Sequence, residues 1–186
     1  MKNIIFFGDS LTAGYGLLKA HEDSIPALIQ AKINALELDF KVINAGRSGD
    51  TSAGGLQRIA AVLAQPIAVF VLELGANDML RGIPPQQIQQ NLQAIVDQVK
   101  VKYPAAQLML LGMELPAWVP GQRAAEFRGV FTKVAKDNQM ALVPFFLEGV
   151  AGVKHLNLQD GLHPLAEGYK IIAANIWPTL KKLIMA

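Results

Sequence analysis

The chain has 186 residues, 52% apolar and 17% charged, with a formal net charge of +2 and its basic residues scattered. That composition fills a core burying about 70% of the unfolded chain's surface, and it excludes the basic stripe of a nucleic-acid binder. The absence of cysteine rules out disulfides and thiolate metal sites.

No apolar run approaches the ~18 residues of a membrane span. The N-terminal stretch lacks the longer apolar region and small-residue cleavage site of a signal peptide. The expectation is a single soluble domain over 1–186, cytoplasmic as the chain stands and periplasmic or secreted if a signal has been removed.

Ile4-Ile5-Phe6-Phe7 predicts a buried parallel strand, and Gly8-Asp9-Ser10 the turn that ends it. Ser24 is a candidate cap for a helix whose apolar face is Leu28, Ile29, Ile33 and Leu36. Phe40 to Asn44 is a second strand, followed by the loop Ala45 to Ser52. Leu56, Ile59, Ala60 and Leu63 carry the next helix. Ile67 to Leu72 is a third strand, running into Glu73-Leu74-Gly75-Ala76-Asn77-Asp78.

Pro84 and Pro85 open a long helix with Ile88, Leu92, Ile95 and Val99 on one face. Leu108 to Leu111 is a fourth strand, and Glu126 to Asn138 sits in a helix. Ala141 to Phe146 is a fifth strand; Pro144 within it marks an edge or a strand end. The last helix starts near Pro164 and is expected to kink or end at Pro178. Strands alternating with helices imply an α/β fold, a doubly wound parallel sheet with helices on both faces.

Ser10 then stands at the carboxyl end of a central strand, where open α/β sheets place their ligands. Asp160 and His163 lie three residues apart in Asp160-Gly161-Leu162-His163-Pro164. A serine hydroxyl needs a base, and imidazole titrates near working pH. A carboxylate on the other ring nitrogen fixes the tautomer. Together these residues point to nucleophilic acyl transfer. The order Ser, Asp, His also occurs in α/β-hydrolases, but Thr12 replaces the second glycine of their elbow. A nucleophile at position 10 also leaves no room for the strands that precede that elbow. Candidate oxyanion donors are the Gly49 N–H, the neutral Asn77 amide and the Ser10 N–H.

Gly8-Asp9-Ser10-Leu11, the glycine of Ser48-Gly49-Asp50-Thr51-Ser52, Gly75-Ala76-Asn77-Asp78 and Asp160-Gly161-Leu162-His163-Pro164 resemble, in order, the four blocks of the SGNH (GDSL) hydrolases. The longer strings Ser10 to Gly16 and Glu73 to Gly82 are most similar to the bacterial thioesterase I, lysophospholipase and arylesterase group. The resemblance implies a three-layer α/β/α, flavodoxin-like five-stranded sheet in the order 2-1-3-4-5. It implies Ser10 as nucleophile, His163 as base, Asp160 as its partner, and an oxyanion hole of Ser10, Gly49 and Asn77. Gly46 is a neighbouring glycine that the Ser-Gly-Asp-Thr-Ser string passes over in favour of Gly49. Where close relatives often carry an aromatic residue before the helix proline, this chain has Ile25-Pro26, a change beside the acyl pocket.

The implied reaction is cofactor-free hydrolysis of carboxylic esters through an acyl-enzyme. The substrates implied are aryl or short- to medium-chain acyl esters, lysophospholipids or thioesters. The partner is thus a small molecule, with no nucleic acid and no integral membrane segment, and the chain is expected to be a monomer. Two other readings are a carbohydrate O-acetyl esterase on the same fold and a non-catalytic small-anion-binding module. Leu80 and Arg81, and Glu114, Leu115 and Pro116, follow the third and fourth strands in apolar, proline-stiffened loops that suit an acyl or aryl group. Asp9 and Asp78 read as loop braces, and His21 and His155 as surface residues. No metal site is expected, since the His-Glu spacing of a zincin is missing.

Overall fold

The computed structural model describes residues 1–114 and 121–185. Strand β1 (Lys2–Gly8) runs into the short helix α1 (Ser10–Ala13), so the expected turn after Gly8 is a helix start instead. Asp9 makes it one: its carboxylate accepts the Leu11 N–H at 2.9 Å and caps the helix. Helix α2 (Ala20–Asp23) leads to α3 (Ile25–Ala35), where Ser24 holds the cap position without a side-chain cap bond. Ile25, which precedes the helix proline, is fully buried in the core.

Strand β2 (Phe40–Gly46) precedes α4 (Ser52–Val62), capped by Thr51, whose hydroxyl accepts the Gly54 N–H at 3.1 Å. Next come β3 (Val69–Glu73), α5 (Ala76–Leu80), α6 (Pro85–Lys102) and β4 (Gln107–Leu111). Helix α7 (Gln122–Asn138) is followed by β5 (Ala141–Val143), which stops before Pro144 because proline has no N–H for the ladder. A 3₁₀ turn (Lys154–Leu156) precedes α8 (Ala166–Met185).

The five strands are parallel in the order β2-β1-β3-β4-β5. Helices cover both faces: α3 packs with α8, and α6 packs with α4 and α7. Both faces of β1 and β3 are covered, which is why Ile4 to Phe7 and Val69 to Leu72 read as unbroken apolar runs and are buried. The Phe7 and Phe70 rings meet across the β1–β3 pair at 5.6 Å.

Helix α8 does not end at Pro178; it continues to Met185. The bond that proline forfeits would go to the carbonyl of Ala174, and both residues are solvent-exposed, so the forfeited bond lies on the side open to water. Buried Ile176 and Leu180 hold the two halves against the core.

Candidate active site

Parallel strands deliver their carboxyl ends to one edge, and the site is built there. β1 lies between β2 and β3, and Ser10 is the first residue after its cap, 8% exposed. The segment carrying Asp160 and His163 reaches the same edge through a closed loop before α8. Asn157 and Pro164 bridge across its base, and the Leu158 N–H donates to the His163 carbonyl at 2.7 Å. Gly161 turns the loop at φ +70°, a conformation that side chains disfavour.

His163 Nε2 lies 2.9 Å from Ser10 Oγ, and its Nδ1 lies 2.7 Å from Asp160 Oδ2. With the proton on Nδ1, the carboxylate accepts it and Nε2 faces the hydroxyl as an acceptor. The other Asp160 oxygen accepts the Leu162 and His163 N–H groups at 2.9 and 3.1 Å. The hydrogen bond from His163, aided by those two N–H groups, holds the Asp160 carboxyl down at about 2 although the side chain is 38% exposed. The Tyr15 ring packs against the imidazole at a tilt of 48°, with centroids 4.5 Å apart.

Gly49 comes from the loop after β2, and Asn77 from the first turn of α5, just after β3. Gly49 sits at φ +82°, which only glycine adopts freely, and its N–H lies in a loop tied down at several points. The Asp50 carboxylate pairs with Arg58, whose guanidinium also donates to the carbonyls of Ala45 and Gly8 at 2.9 Å each. Arg58 packs over the Phe7 ring at 4.1 Å and so binds the ends of β1 and β2 to the loop. Asp78 accepts the Ser52 N–H at 2.7 Å and its hydroxyl at 2.5 Å, the bracing expected of it. Asp9 braces in the same way. Gly46 is held to another task, since a Cβ there would overlap the Ala13 backbone.

The Asn77 amide donates to Asp9 Oδ2 at 3.0 Å and to the Asp50 carbonyl at 2.9 Å. Both amide protons are thereby engaged, so the side chain ties the loops after β1, β2 and β3 together. Arg81 donates to the Gly49 carbonyl at 2.9 Å, which places it on the loop itself. Leu80 is 56% exposed beside it. Glu114 lines a cleft of about 390 Å³ with Pro144, Glu148 and Asn175, and no residue of the Ser10 cluster lines that cleft. Leu115 and Pro116 lie outside the described residues.

Beneath Ser10 are two buried carboxyls. Burial pushes Asp9 up to about 6, against the Leu11 N–H that lowers it. Burial, then the Asp9 charge, push Glu73 well above the usual carboxylate range. Glu73, Arg58 and Tyr15 escaped the sequence reading. The signals were a charged residue closing the most apolar strand, another beside Ile59 on an amphipathic helix, and an aromatic inside the string Ser10 to Gly16.

The model of the GDSL-like Lipase/Acylhydrolase family matches residues 6–171. The chain is 41% identical to Esterase TesA of Pseudomonas aeruginosa over 184 residues, 98% of this chain and 90% of that protein. It is 36% identical to Thioesterase 1/protease 1/lysophospholipase L1 of Escherichia coli K12 over 182 residues, 97% of this chain and 84% of that one. The crystal structure of the psychrotrophic esterase EstA from Pseudoalteromonas sp., inhibited by monoethylphosphonate, superposes with a TM-score of 0.89 at 34% identity, covering 100% of both chains.

Proposed function

Because the chain belongs to the GDSL-like lipase/acylhydrolase family, it is a carboxylic ester hydrolase, and we propose that it works through an acyl-enzyme on Ser10. The observation that carries this reading is the continuous hydrogen-bonded line from Ser10 Oγ through His163 to Asp160. Ser10 Oγ attacks the carbonyl carbon as His163 Nε2 takes its proton, and Asp160 stabilises the imidazolium. The tetrahedral oxyanion is met by the N–H groups of Ser10 and Gly49, and by Asn77, which shares with it a proton now held by the Asp50 carbonyl. Collapse expels the alcohol or thiol, which takes the proton from His163. Water then repeats the sequence and releases the acid.

The substrates are aryl or short- to medium-chain acyl esters, with thioesters and lysophospholipids as further members. Support comes from the exposed Tyr15 against His163 and from the named activities of the relatives. Among the described residues no helix is long and apolar enough to cross a membrane. We read the chain as one soluble, monomeric domain. Rapid quenching of a p-nitrophenyl butyrate reaction should give a protein heavier by one butyryl group on the peptide containing Ser10. Turnover with the acyl mass on another residue contradicts the assignment. A chain-length series of p-nitrophenyl esters and acyl-CoA thioesters then sets the acyl preference.

A further inference from the structure

We infer that Glu73 is a positioning residue for this reaction: a neutral carboxylic acid, sealed beneath the nucleophile, that fixes the start of α1 and, through Asp9, the Asn77 amide. The inference rests on Ser10 being the nucleophile. Glu73 ends β3 opposite Gly8 in the β1–β3 register and is fully buried. Its Oε2 accepts the Asp9 N–H at 3.1 Å and the Thr12 hydroxyl at 2.8 Å, the two groups that bracket Ser10 in sequence. A Cβ on Gly8 would overlap both Thr12 Oγ1 and Glu73 Oε2, so the glycine at this position makes room for the carboxyl.

The surroundings decide its charge. Among the described residues neither Glu73 nor Asp9 has a salt-bridge partner, and Glu73 Oε1 has no hydrogen-bond partner. An ionised carboxylate buried with one oxygen bare is far costlier than the neutral acid. Asp9, by contrast, accepts at both oxygens, from the Leu11 N–H and from the Asn77 amide. Two adjacent buried carboxyls carry one charge between them, and these bonds assign it to Asp9. The other groups that bear on the pair are His163, which attracts the Asp9 charge, Asp50, which repels it, and the buried Tyr169 phenol. The division of labour is then clear: Asp9 orients the amide as an anion, while Glu73 anchors the nucleophile turn without adding a second charge beneath a developing oxyanion.

The test compares Glu73→Gln, Glu73→Leu and Thr12→Val with a p-nitrophenyl ester. Glu73→Gln keeps the acceptor oxygen without a charge, so kcat, KM and the pH profile should stay within about twofold of the parent. Glu73→Leu should lower kcat about 10²-fold at nearly unchanged KM, the scale of a misplaced reacting group. Thr12→Val should cost about fivefold, and little further when added to Glu73→Leu. A Gln variant as impaired as the Leu variant, or a shifted pH profile in it, overturns the neutral acid. A folded Leu variant with parental kcat overturns the positioning role. If the Leu variant does not fold, an unchanged kcat in Thr12→Val overturns it instead. Fluorophosphonate labelling separates the two levels. No label on Ser10 of the parent refutes the nucleophile, whereas equal labelling rates in parent and Thr12→Val refute only Glu73.

Discussion

At Ser10 the hydroxyl has His163 Nε2 2.9 Å away, and His163 is oriented by a carboxylate held ionised down to about pH 2. Loss of activity on the acid side therefore belongs to groups other than Asp160. One is Asp9, pushed up to about 6 by burial and holding Asn77; the other is the His163 base, which must be free of its proton to accept the one from Ser10. The acid limb of kcat should thus be steeper than one protonation allows, and in Asp9→Asn it should follow a single protonation. A single-proton limb in the parent would remove Asp9 from the account. Asn77→Ala should lower kcat about 10²–10³-fold with little change in KM if its amide meets the oxyanion. An unchanged kcat would leave the amide with its bracing bonds alone. That Ser10, Asp160 and His163 meet was legible from the strand end that carries Ser10, the three-residue spacing of Asp160 and His163, and the order of the four blocks. Glu73 and Arg58 were not, because their partners are distant in the chain: the Asp9 N–H lies 64 residues from Glu73, and the Gly8 carbonyl 50 residues from Arg58.

At the scale of the elements, the sequence was most legible where both faces are buried and least where solvent enters. β1 and β3 announced themselves as apolar runs, and α6 by its spacing, because burial leaves no choice of residue. Helix α1 was hidden, since four residues give no periodicity and its cap is the only sign. Of the two outcomes expected at Pro178, an end to the helix is not the one seen: whether a proline stops a helix depends on which face it occupies, and this one faces water. The helix still forgoes a hydrogen bond there, so Pro178→Ala should stabilise the fold by about 1–2 kcal/mol, less than the full ~3 kcal/mol because proline also restricts the unfolded chain. Thermal melting should rise by roughly 2–8 °C at this chain length. A lower Tm in the variant would contradict this account of the helix.

Across the whole molecule, the sheet order β2-β1-β3-β4-β5 gathers the loops after β1, β2 and β3 at one edge, where Asn77 and Arg58 bind them together. Two carboxyls buried there without cations work against the fold. A raised folded-state pKa means that the native protein holds its proton where the unfolded chain has lost it. Stability from Asp9 is therefore complete below about 3.8 and lost as pH rises through about 6. Glu73 acts with the same sign from its ordinary value upward. Tm should increase as pH is lowered from 7 toward 5, and the increase should shrink in Asp9→Asn, which has no carboxyl to titrate at this position. A Tm that falls over this interval would contradict the uncompensated burial.

The most direct measurement of the central claim is intact-mass and peptide analysis after treatment with a fluorophosphonate. The account predicts a single adduct on Ser10 with complete loss of esterase activity, and no adduct in Ser10→Ala. An adduct on another residue, or undiminished labelling and turnover in Ser10→Ala, would contradict it.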